Sequence, residues 1–381
     1  MYNINSHYKN IFNLATSVVP TPSLLYLHPH GATEIKDLET MLVQSDDMLH
    51  VSDAIIICYD QEPLIPAYNR PLFEHIITSS SKYLQKFKSI ILLNTEIDSD
   101  NKDEILNEFK FIDCYYFHHI FAAHDWFREY YYNKKITDPS TRKLSKKFIT
   151  LNRLTSYARI YRSLLINELI ERDLLNDGYI SYSTECPIGG SFDEQLITNG
   201  SQYNISDSMI DNTIKNINNL ESSLRIDFKT HEYIPNMSFS VEPIHESLSS
   251  FLYIVTETNY WGRRKHLTEK IFKPIILKQP FILVGCAYNL EYLKSYGFKT
   301  FDRWWSEEYD SITDDVQRMH KIGETIQTIC KYNLNQLEEI LKDMQEILDY
   351  NYNLFYSRDF IDSAWAELET NLTDSILRVK Y

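Results

Sequence analysis

The side chains best suited to chemistry are concentrated between residues 251 and 301. An apolar, β-rich run from Phe251 to Val255 predicts a buried strand. Two polar residues, Glu257 and Asn259, follow that run, and a basic cluster at residues 263–273 comes next. Because open α/β sheets bind ligands at the carboxyl ends of their strands, this order predicts a site for an anionic ligand.

A helix start within this stretch supports the same prediction. Thr268 offers a hydroxyl cap and Glu269 an acid in the first turn, which together indicate a helix N-terminus. Such an end presents N–H groups and a partial positive charge, and Arg263, Arg264 and Lys270 lie beside it in sequence. That combination suits a pyrophosphate. An ordinary helix start is the alternative, but it leaves the flanking basic residues unexplained.

Three motifs in this stretch resemble those of the donor-binding half of α1,3/4-fucosyltransferases. They are Glu257-x-Asn259, Thr268-Glu269-Lys270-Ile271 and Pro280-Phe-Ile-Leu-Val-Gly285, at similar spacing. The strings Thr-Glu-Lys-x-Phe-Lys-Pro and Gly-Phe-Lys-Thr-Phe resemble uncharacterised glycosyltransferase-like proteins of phages and bacteria more closely still. In the fucosyltransferases a Glu-Lys pair holds the ribose and phosphates of a GDP-sugar. The resemblance implies these contacts for Glu269 and Lys270, while Glu257 and Asn259 are expected to order the sugar or the ribose.

The resemblance also implies a base and a cation for the leaving group. Asp60 and Glu62 follow a strongly apolar strand, and a carboxylate there could remove the proton from an acceptor hydroxyl. Glu62 is the first candidate and Asp60 the second, and the alternative is a loop acid that caps a turn. In the family an arginine after the first strand of the second domain neutralises the departing diphosphate, a role open to Arg153 or Arg159. Arg162, farther along the next helix, is expected on the surface.

A group of histidines invites a metal interpretation that its spacing does not support. His118, His119, His124 and Asp125 match neither H-E-x-x-H nor a zinc ribbon, so polar contacts in the core or in a cleft are expected instead. Asp98-Ser-Asp100 matches D-x-D in letters but lies in a run typical of an exposed turn. The sequence therefore predicts no metal, and no cofactor beyond a nucleoside-diphosphate sugar as donor substrate.

Composition excludes several classes of site. Only 9 glycines occur among 381 residues, and neither G-x-G-x-x-G nor G-x-x-x-x-G-K-[ST] is present, so phosphates must be held by side chains and helix ends. The net charge of -15 disfavours nucleic acid and anionic membranes as general partners. Two local basic clusters, at residues 128–147 and 263–273, more plausibly focus one anionic ligand, with a solvated loop as the alternative for the first.

The cysteines and the apolar runs indicate a cytoplasmic protein. The five cysteines are dispersed and lack C-x-x-C spacing, which favours reduced thiols. No signal-peptide pattern is evident at the N-terminus, and no run approaches 18 apolar residues, so no membrane span is predicted. The expected location is the cytoplasm, or the host cytoplasm if a phage encodes the chain.

Apolar runs alternate with helical periodicity along the chain, which predicts parallel sheets covered by helices. In the first half, strands are predicted at residues 23–28, 53–60, 89–94 and 111–116, and helices at 71–84 and 122–132. In the second half, strands are predicted at 148–152, 179–183, 251–255 and 280–284, and helices at 156–175, from 268 and at 289–296. The Asn- and Ser-rich residues 186–222 indicate a surface excursion, and residues 314–377 a mostly helical tail.

A polar, charged stretch at residues 133–147 marks the predicted domain boundary. It separates an acceptor-side α/β domain at 1–145 from a nucleotide-sugar-binding α/β domain at 146–345, and a C-terminal helix at 346–381 is expected to brace the first domain. The predicted fold class is α/β, with two Rossmann-like domains facing each other across a cleft and C-terminal helices crossing back. This is the GT-B type of arrangement, which the fucosyltransferases share.

These observations together predict an inverting glycosyltransferase that moves a sugar from a nucleoside diphosphate to an acceptor hydroxyl. The acceptor could belong to a glycan, a lipid-linked sugar, a protein or modified DNA. The alternative is a non-catalytic binding or scaffold protein that retains the fold and a vestigial nucleotide pocket. The sequence leaves open the donor, the acceptor, the linkage and the oligomeric state.

Overall fold

The computed structural model describes residues 6–18, 24–27, 35–44, 54–84, 89–132, 136–186, 189–220 and 240–379. The chain forms two compact units: the first comprises Met1–Asp125 and Ser357–Tyr381, and the second Trp126–Tyr356. Each unit contains a parallel β-sheet with helices, so the predicted mixed α/β class is confirmed. Within the described part of the chain, no helix is both long enough and apolar enough to cross a membrane.

The first unit is built on a four-stranded sheet in the order β1-β2-β3-β4, with all neighbouring strands parallel. Its strands are β1 (Leu24–Leu27), β2 (Ala54–Cys58), β3 (Ser89–Asn94) and β4 (Ile112–Tyr115). The helices in its N-terminal piece are α1 (His7–Val18), α2 (Ile35–Gln44), α3 (Pro66–Leu84), α4 (Asp100–Phe109) and α5 (His118–Trp126). Every residue of β2 is buried, as expected for a central parallel strand that helices cover on both faces.

The second unit has its own four-stranded parallel sheet, in the order β10-β9-β5-β6. Its strands are β5 (Lys146–Asn152), β6 (Gly178–Tyr182), β9 (Ser250–Thr256) and β10 (Phe281–Val284), and a small antiparallel pair joins β7 (Glu185–Cys186) to β8 (Gly190–Ser191). Its helices are α6 (Tyr161–Glu171), α7 (Phe192–Asn199), α8 (Asp207–Asn218), α9 (Ile244–Leu248), α10 (Phe272–Ile276), α11 (Asn289–Ser295), α12 (Asp315–Cys330), α13 (Leu334–Asp343) and α14 (Gln345–Tyr356).

The last helix, α15 (Arg358–Val379), belongs to the first unit and lies against the edge strand β4. Asn371 Nδ2 donates to the Tyr115 carbonyl oxygen at 2.9 Å, and Ser375 Oγ donates to the Asp113 carbonyl oxygen at 2.9 Å. An exposed strand edge offers unpaired backbone groups to other chains. The side chains of α15 instead satisfy two carbonyl groups of β4.

Most predicted strands are confirmed to within two residues, whereas several helices differ from prediction. The helix predicted at 156–175 begins only at Tyr161, because a 3₁₀ turn at Tyr157–Arg159 precedes it and Tyr157 has a left-handed φ of 54°. The helix predicted at 122–132 begins earlier, at His118, and gives way to a 3₁₀ turn after Trp126. Parts of other predictions, namely residues 23, 28, 53, 133–135 and 221–222, lie outside the described residues.

The prediction of a surface excursion at residues 186–222 is wrong for most of that segment. The segment contains the two helices α7 and α8, which bury Phe192 and Leu196 in the first and Ile210 and Ile217 in the second. The apolar residues of α8 recur at helical spacing, but they are few among many Asn and Ser residues. A polar composition therefore concealed two amphipathic helices.

A glycine permits close packing between β5 and β6. Gly178 lies opposite Phe148 in the parallel register, and an added Cβ would come within 2.1 Å of the phenyl ring. We expect Gly178→Ala to lower the free energy of unfolding by about 1–3 kcal/mol, because the ring must move within a packed core. Urea denaturation measures the change.

The double variant Phe148→Leu/Gly178→Ala is the matched control, since a smaller side chain relieves the clash. Its loss of stability should be smaller than the sum of the two single losses. Strictly additive losses would contradict the proposed contact.

Candidate functional site

A buried acid at the end of β9 organises the candidate site of the second unit. Glu257 continues the ladder beyond β9 by donating its N–H to the Val284 carbonyl oxygen at 3.0 Å, and its side chain is fully buried. Its carboxylate accepts bonds from Thr258 N at 3.1 Å, Thr268 N at 3.2 Å and Thr268 Oγ1 at 2.6 Å. Burial raises the pKa of Glu257, while Lys270 and the bonds from Thr268 oppose that rise. Glu257 thus fastens the following loop to the strand.

Thr268 caps the next turn, as predicted from the sequence. Its Oγ1 accepts from Lys270 N at 3.4 Å, but the turn is a 3₁₀ segment of three residues, Glu269–Ile271, which continues into the five-residue α10. The N–H of Thr268 is bonded to Glu257, and that of Lys270 to Thr268. The backbone N–H groups of Thr268 and Lys270, which the sequence predicted as donors to a pyrophosphate, therefore already form hydrogen bonds within the protein. Side chains are left as the main means of holding an anion here.

An acid between two lysines forms the charged centre of this site. Lys270 Nζ contacts Glu269 Oε1 at 3.0 Å and Thr258 Oγ1 at 3.0 Å. Burial would raise the pKa of Glu269, but Lys270 and Lys273 outweigh it and hold that pKa below its ordinary value. Burial lowers the pKa of Lys273 to about 8, although Glu269 works in the opposite direction. The three side chains carry a net positive charge at neutral pH, which favours an anionic ligand.

The two arginines of the basic cluster occupy different environments. Arg263 is exposed, whereas Arg264 is only 6% exposed. They follow Gly262, whose φ of 71° turns the loop in a conformation that favours glycine. The next residue, Lys265, forms an ion pair with Glu291 at 3.3 Å. The exposure of Arg263 suits a contact with a bound ligand, while Arg264 belongs to the interior of the loop.

Two buried amide side chains lie at the same edge of the sheet. Asn152 ends β5, and its Oδ1 has no hydrogen-bond partner within the described part of the chain; the same holds for Nδ2 of Asn259, beyond β9. Both residues are at most 4% exposed, and β5 and β9 are neighbouring strands. Buried polar atoms without a protein partner are uncommon, and each requires an explanation such as a ligand.

Buried arginines hold the loops around this edge. Arg162 donates to the carbonyl oxygens of Leu154 at 2.8 Å and of Thr256 and Glu257 at 3.2 Å each. The prediction that Arg162 is a surface residue is therefore wrong, because these backbone acceptors need a buried donor. Arg318, 1% exposed, does the same for the carbonyl oxygens of Tyr260 at 2.6 Å and Gly285 at 3.1 Å.

The two predicted leaving-group arginines remain partly accessible to solvent. Arg153 follows β5 directly, and Arg159 lies in the 3₁₀ turn before α6. Both side chains are half-buried and belong to the segment at the carboxyl end of β5. Both therefore stay candidates for the predicted contact with the diphosphate, and neither is favoured by its location.

In the first unit, the two candidate acids differ sharply in environment. Glu62 is exposed in the loop after β2, whereas Asp60 is 1% exposed. Asp60 accepts hydrogen bonds from the hydroxyl groups of Tyr8, at 3.1 Å, and Tyr116. Burial, followed by the charge of Asp60, raises the pKa of Tyr116 well above its ordinary value, so this phenol is a neutral donor. Of these two acids, Glu62 is therefore the one that solvent reaches.

The histidines of α5 are all buried. His118, His119 and His124 are each at most 5% exposed, and burial lowers the pKa of His124 to about 4. The partners of Asp60 were not predictable from the sequence, because Tyr8 and Tyr116 lie 52 and 56 residues away along the chain. Lys273 belonged to the predicted basic cluster but had no predicted role.

No protein-family model matches this chain, and neither a curated protein nor a solved structure matches it. The described residues define a mixed α/β protein with one four-stranded parallel sheet in each of its two units. The charged residues at the carboxyl edge of the second sheet are the clearest candidate ligand-binding site among the residues that the structure describes.

The hydroxyl of Thr268 links Glu257 to the turn that carries Lys270. We expect Thr268→Val to lower the free energy of unfolding by about 1–3 kcal/mol, because a buried carboxylate loses a donor. Thr268→Ser keeps the hydroxyl and should lose clearly less, as measured by urea denaturation. An equal loss in both variants would show that the methyl group, rather than the hydrogen bond, carries the effect.

Proposed function

We propose that this protein is an inverting glycosyltransferase that uses a nucleoside-diphosphate sugar as donor. The proposal depends on one observation above all: Glu269, Lys270 and Lys273 form a charged group beside the carboxyl edge of a parallel sheet. Ligands of open α/β sheets bind at that edge. The order of Glu269 and Lys270 also resembles the pair that holds ribose and phosphates in fucosyltransferases.

The side chains of the second unit suit the parts of such a donor. Lys270 and Lys273 provide the positive charge for a diphosphate, and the ionised Glu269 provides an acceptor for ribose hydroxyls. Asn152 Oδ1 and Asn259 Nδ2 offer a buried acceptor and a buried donor for the polar groups of a sugar or ribose. In this proposal Thr268 and Glu257 position the turn, while Arg263 and Arg264 add positive charge near the phosphates.

The reaction itself needs two further roles. The acceptor oxygen bonds to the anomeric carbon while the bond from that carbon to the β-phosphate oxygen breaks, and the bonding electrons leave with the diphosphate. Glu62 takes the proton of the acceptor hydroxyl, with Asp60 disfavoured by its burial. Arg153 or Arg159, together with Lys270, stabilises the negative charge that grows on the diphosphate. The two sheet units would then be the two Rossmann-like domains of a GT-B type enzyme.

The first experiment is a thermal-shift series with UDP-, GDP-, dTDP- and CMP-sugars, followed by an assay of donor hydrolysis. The diphosphate donors should raise the melting temperature more than CMP-sugars do, because two lysines favour two phosphates. Slow hydrolysis of the stabilising donor supports an enzyme, and Glu62→Gln should lower that rate without weakening binding. Binding without hydrolysis, unchanged by Glu62→Gln, would instead indicate a non-catalytic nucleotide-binding protein.

Lys270 should carry much of the donor affinity. We expect Lys270→Ala to weaken binding of the stabilising nucleotide at least about tenfold, since charge-assisted hydrogen bonds contribute about 1.5–3 kcal/mol. Lys342→Ala, on the exposed face of α13, is the matched control for loss of one positive charge. Isothermal titration calorimetry measures both, and equal losses would rule out a direct contact of Lys270.

The depressed pKa of Lys273 gives donor binding a characteristic pH dependence. The ammonium form binds a diphosphate, so the affinity should be constant below the pKa and fall as pH rises through about 8. Lys273→Arg stays protonated and should retain its affinity in the same range. Nucleotide titrations between pH 6 and pH 9 test this, and identical profiles for the two proteins would contradict it.

A further inference from the structure

A second polar cluster lies in the first unit, outside the proposed donor site. It brings together His7 from α1, Asp60 after β2, Tyr116 after β4 and His118 at the start of α5. All four residues are at most 2% exposed. The cluster therefore joins three separate chain segments by polar side chains inside the unit, although burying such groups is unfavourable without specific partners.

The hydroxyl of Tyr116 lies at the centre of this cluster. It is 2.9 Å from His7 Nε2 and 3.0 Å from His118 Nδ1, and it donates to Asp60. His118 Nδ1 lies 3.9 Å from Asp60 Oδ2. One potential ligand atom from each of His7, Asp60 and His118 lies within 4.8 Å of the other two.

We propose that His7, Asp60 and His118 bind a divalent transition-metal ion, with the Tyr116 oxygen as an adjacent fourth donor. Two imidazoles and one carboxylate are a donor set suited to zinc and its neighbours in the first transition row. Ligand atoms about 2.1 Å from one ion lie about 3.0 Å apart in octahedral and about 3.4 Å apart in tetrahedral geometry. The observed separations, 3.9 Å for His118 Nδ1 to Asp60 Oδ2 and no more than 4.8 Å for any pair, exceed these values, so the side chains must move closer together around an ion.

The protons of the cluster are compatible with this binding. Because Tyr116 gives its one proton to Asp60, its bonds with His7 Nε2 and His118 Nδ1 place protons on those two nitrogens in the ion-free protein. Binding of an ion therefore shifts each neutral imidazole to its other tautomer, which frees the two lone pairs. If the Tyr116 oxygen does not bind the ion, its hydroxyl continues to donate to Asp60. If the oxygen does bind the ion, the hydroxyl proton is lost to solvent. The positive charge of the ion offsets the charge of the buried carboxylate, which favours occupation of the site.

The burial of all the donors indicates a structural ion rather than one that meets a substrate. Structural zinc sites are closed by protein ligands, whereas catalytic sites keep one position open. The ion would hold α1 and α5 to the carboxyl ends of β2 and β4. This inference does not rest on the proposed transferase activity, since its residues all belong to the first unit and exclude Glu62.

The test uses the full-length protein, treated with EDTA, dialysed and titrated with Zn²⁺, Co²⁺ and Mg²⁺. We expect one Zn²⁺ or Co²⁺ per chain, a saturable rise in the melting temperature, and Co²⁺ absorption bands typical of nitrogen and oxygen ligands. Mg²⁺ should give no rise at equal concentration, because it prefers oxygen ligands. The Co²⁺ spectrum of the unmodified protein tests the site even if every variant unfolds.

Variants at the ligands identify the site. His118→Gln, His7→Gln and Asp60→Asn should each weaken zinc binding at least about tenfold. His124→Gln is the matched control, since His124 is also buried on α5 but lies outside the group of three ligands. Tyr116→Phe should retain one bound ion, because three ligands remain.

Three results would overturn the proposal. One is an unmodified protein that binds no Co²⁺ or Zn²⁺ with saturable stabilisation. Another is a Co²⁺ spectrum dominated by thiolate bands, which would place the ion at cysteines. The third is a loss of binding in His124→Gln as large as in His118→Gln, which would show a general effect on folding.

Discussion

The second unit depends on one buried carboxylate. Glu257 has no exposed surface, yet three donors from Thr258 and Thr268 surround it. A buried acid is costly unless such bonds are made, so the loop between these residues is fixed by the need to make them. The same requirement fixes where the turn with Glu269 and Lys270 begins. A single electrostatic constraint thereby connects the end of a strand to the charged side chains of the candidate site.

The sequence predicted the sheets well because parallel strands are buried on both faces. The strand Ser89–Asn94 contains the apolar run Ile90–Leu93, which allows little choice of structure, and its bounds agree with the prediction. The bounds of helices were harder to predict, because they depend on local backbone geometry. The left-handed φ of Tyr157 delays the start of α6 in a way that hydrophobic periodicity does not reveal. In α8, three buried residues among Asn and Ser were too few to overcome a polar composition.

The candidate site was predictable only where neighbours in sequence are neighbours in space. Thr268, Glu269 and Lys270 interact within one turn, so their motif was informative. Arg162 and the partners of Asp60 were not predictable, since their contacts join segments that are far apart along the chain. Spacing rules for metal sites detect ligands within one segment, whereas the cluster of His7, Asp60 and His118 draws on three.

The contact of α15 with β4 has a consequence for biosynthesis. The second unit is one continuous segment, but the first is composed of two pieces separated by that segment. Every residue of the second unit is therefore synthesised before Asn371 and Ser375, which satisfy carbonyl groups of β4. The first unit can therefore satisfy these carbonyl groups of β4 with α15 only after the whole second unit has been synthesised.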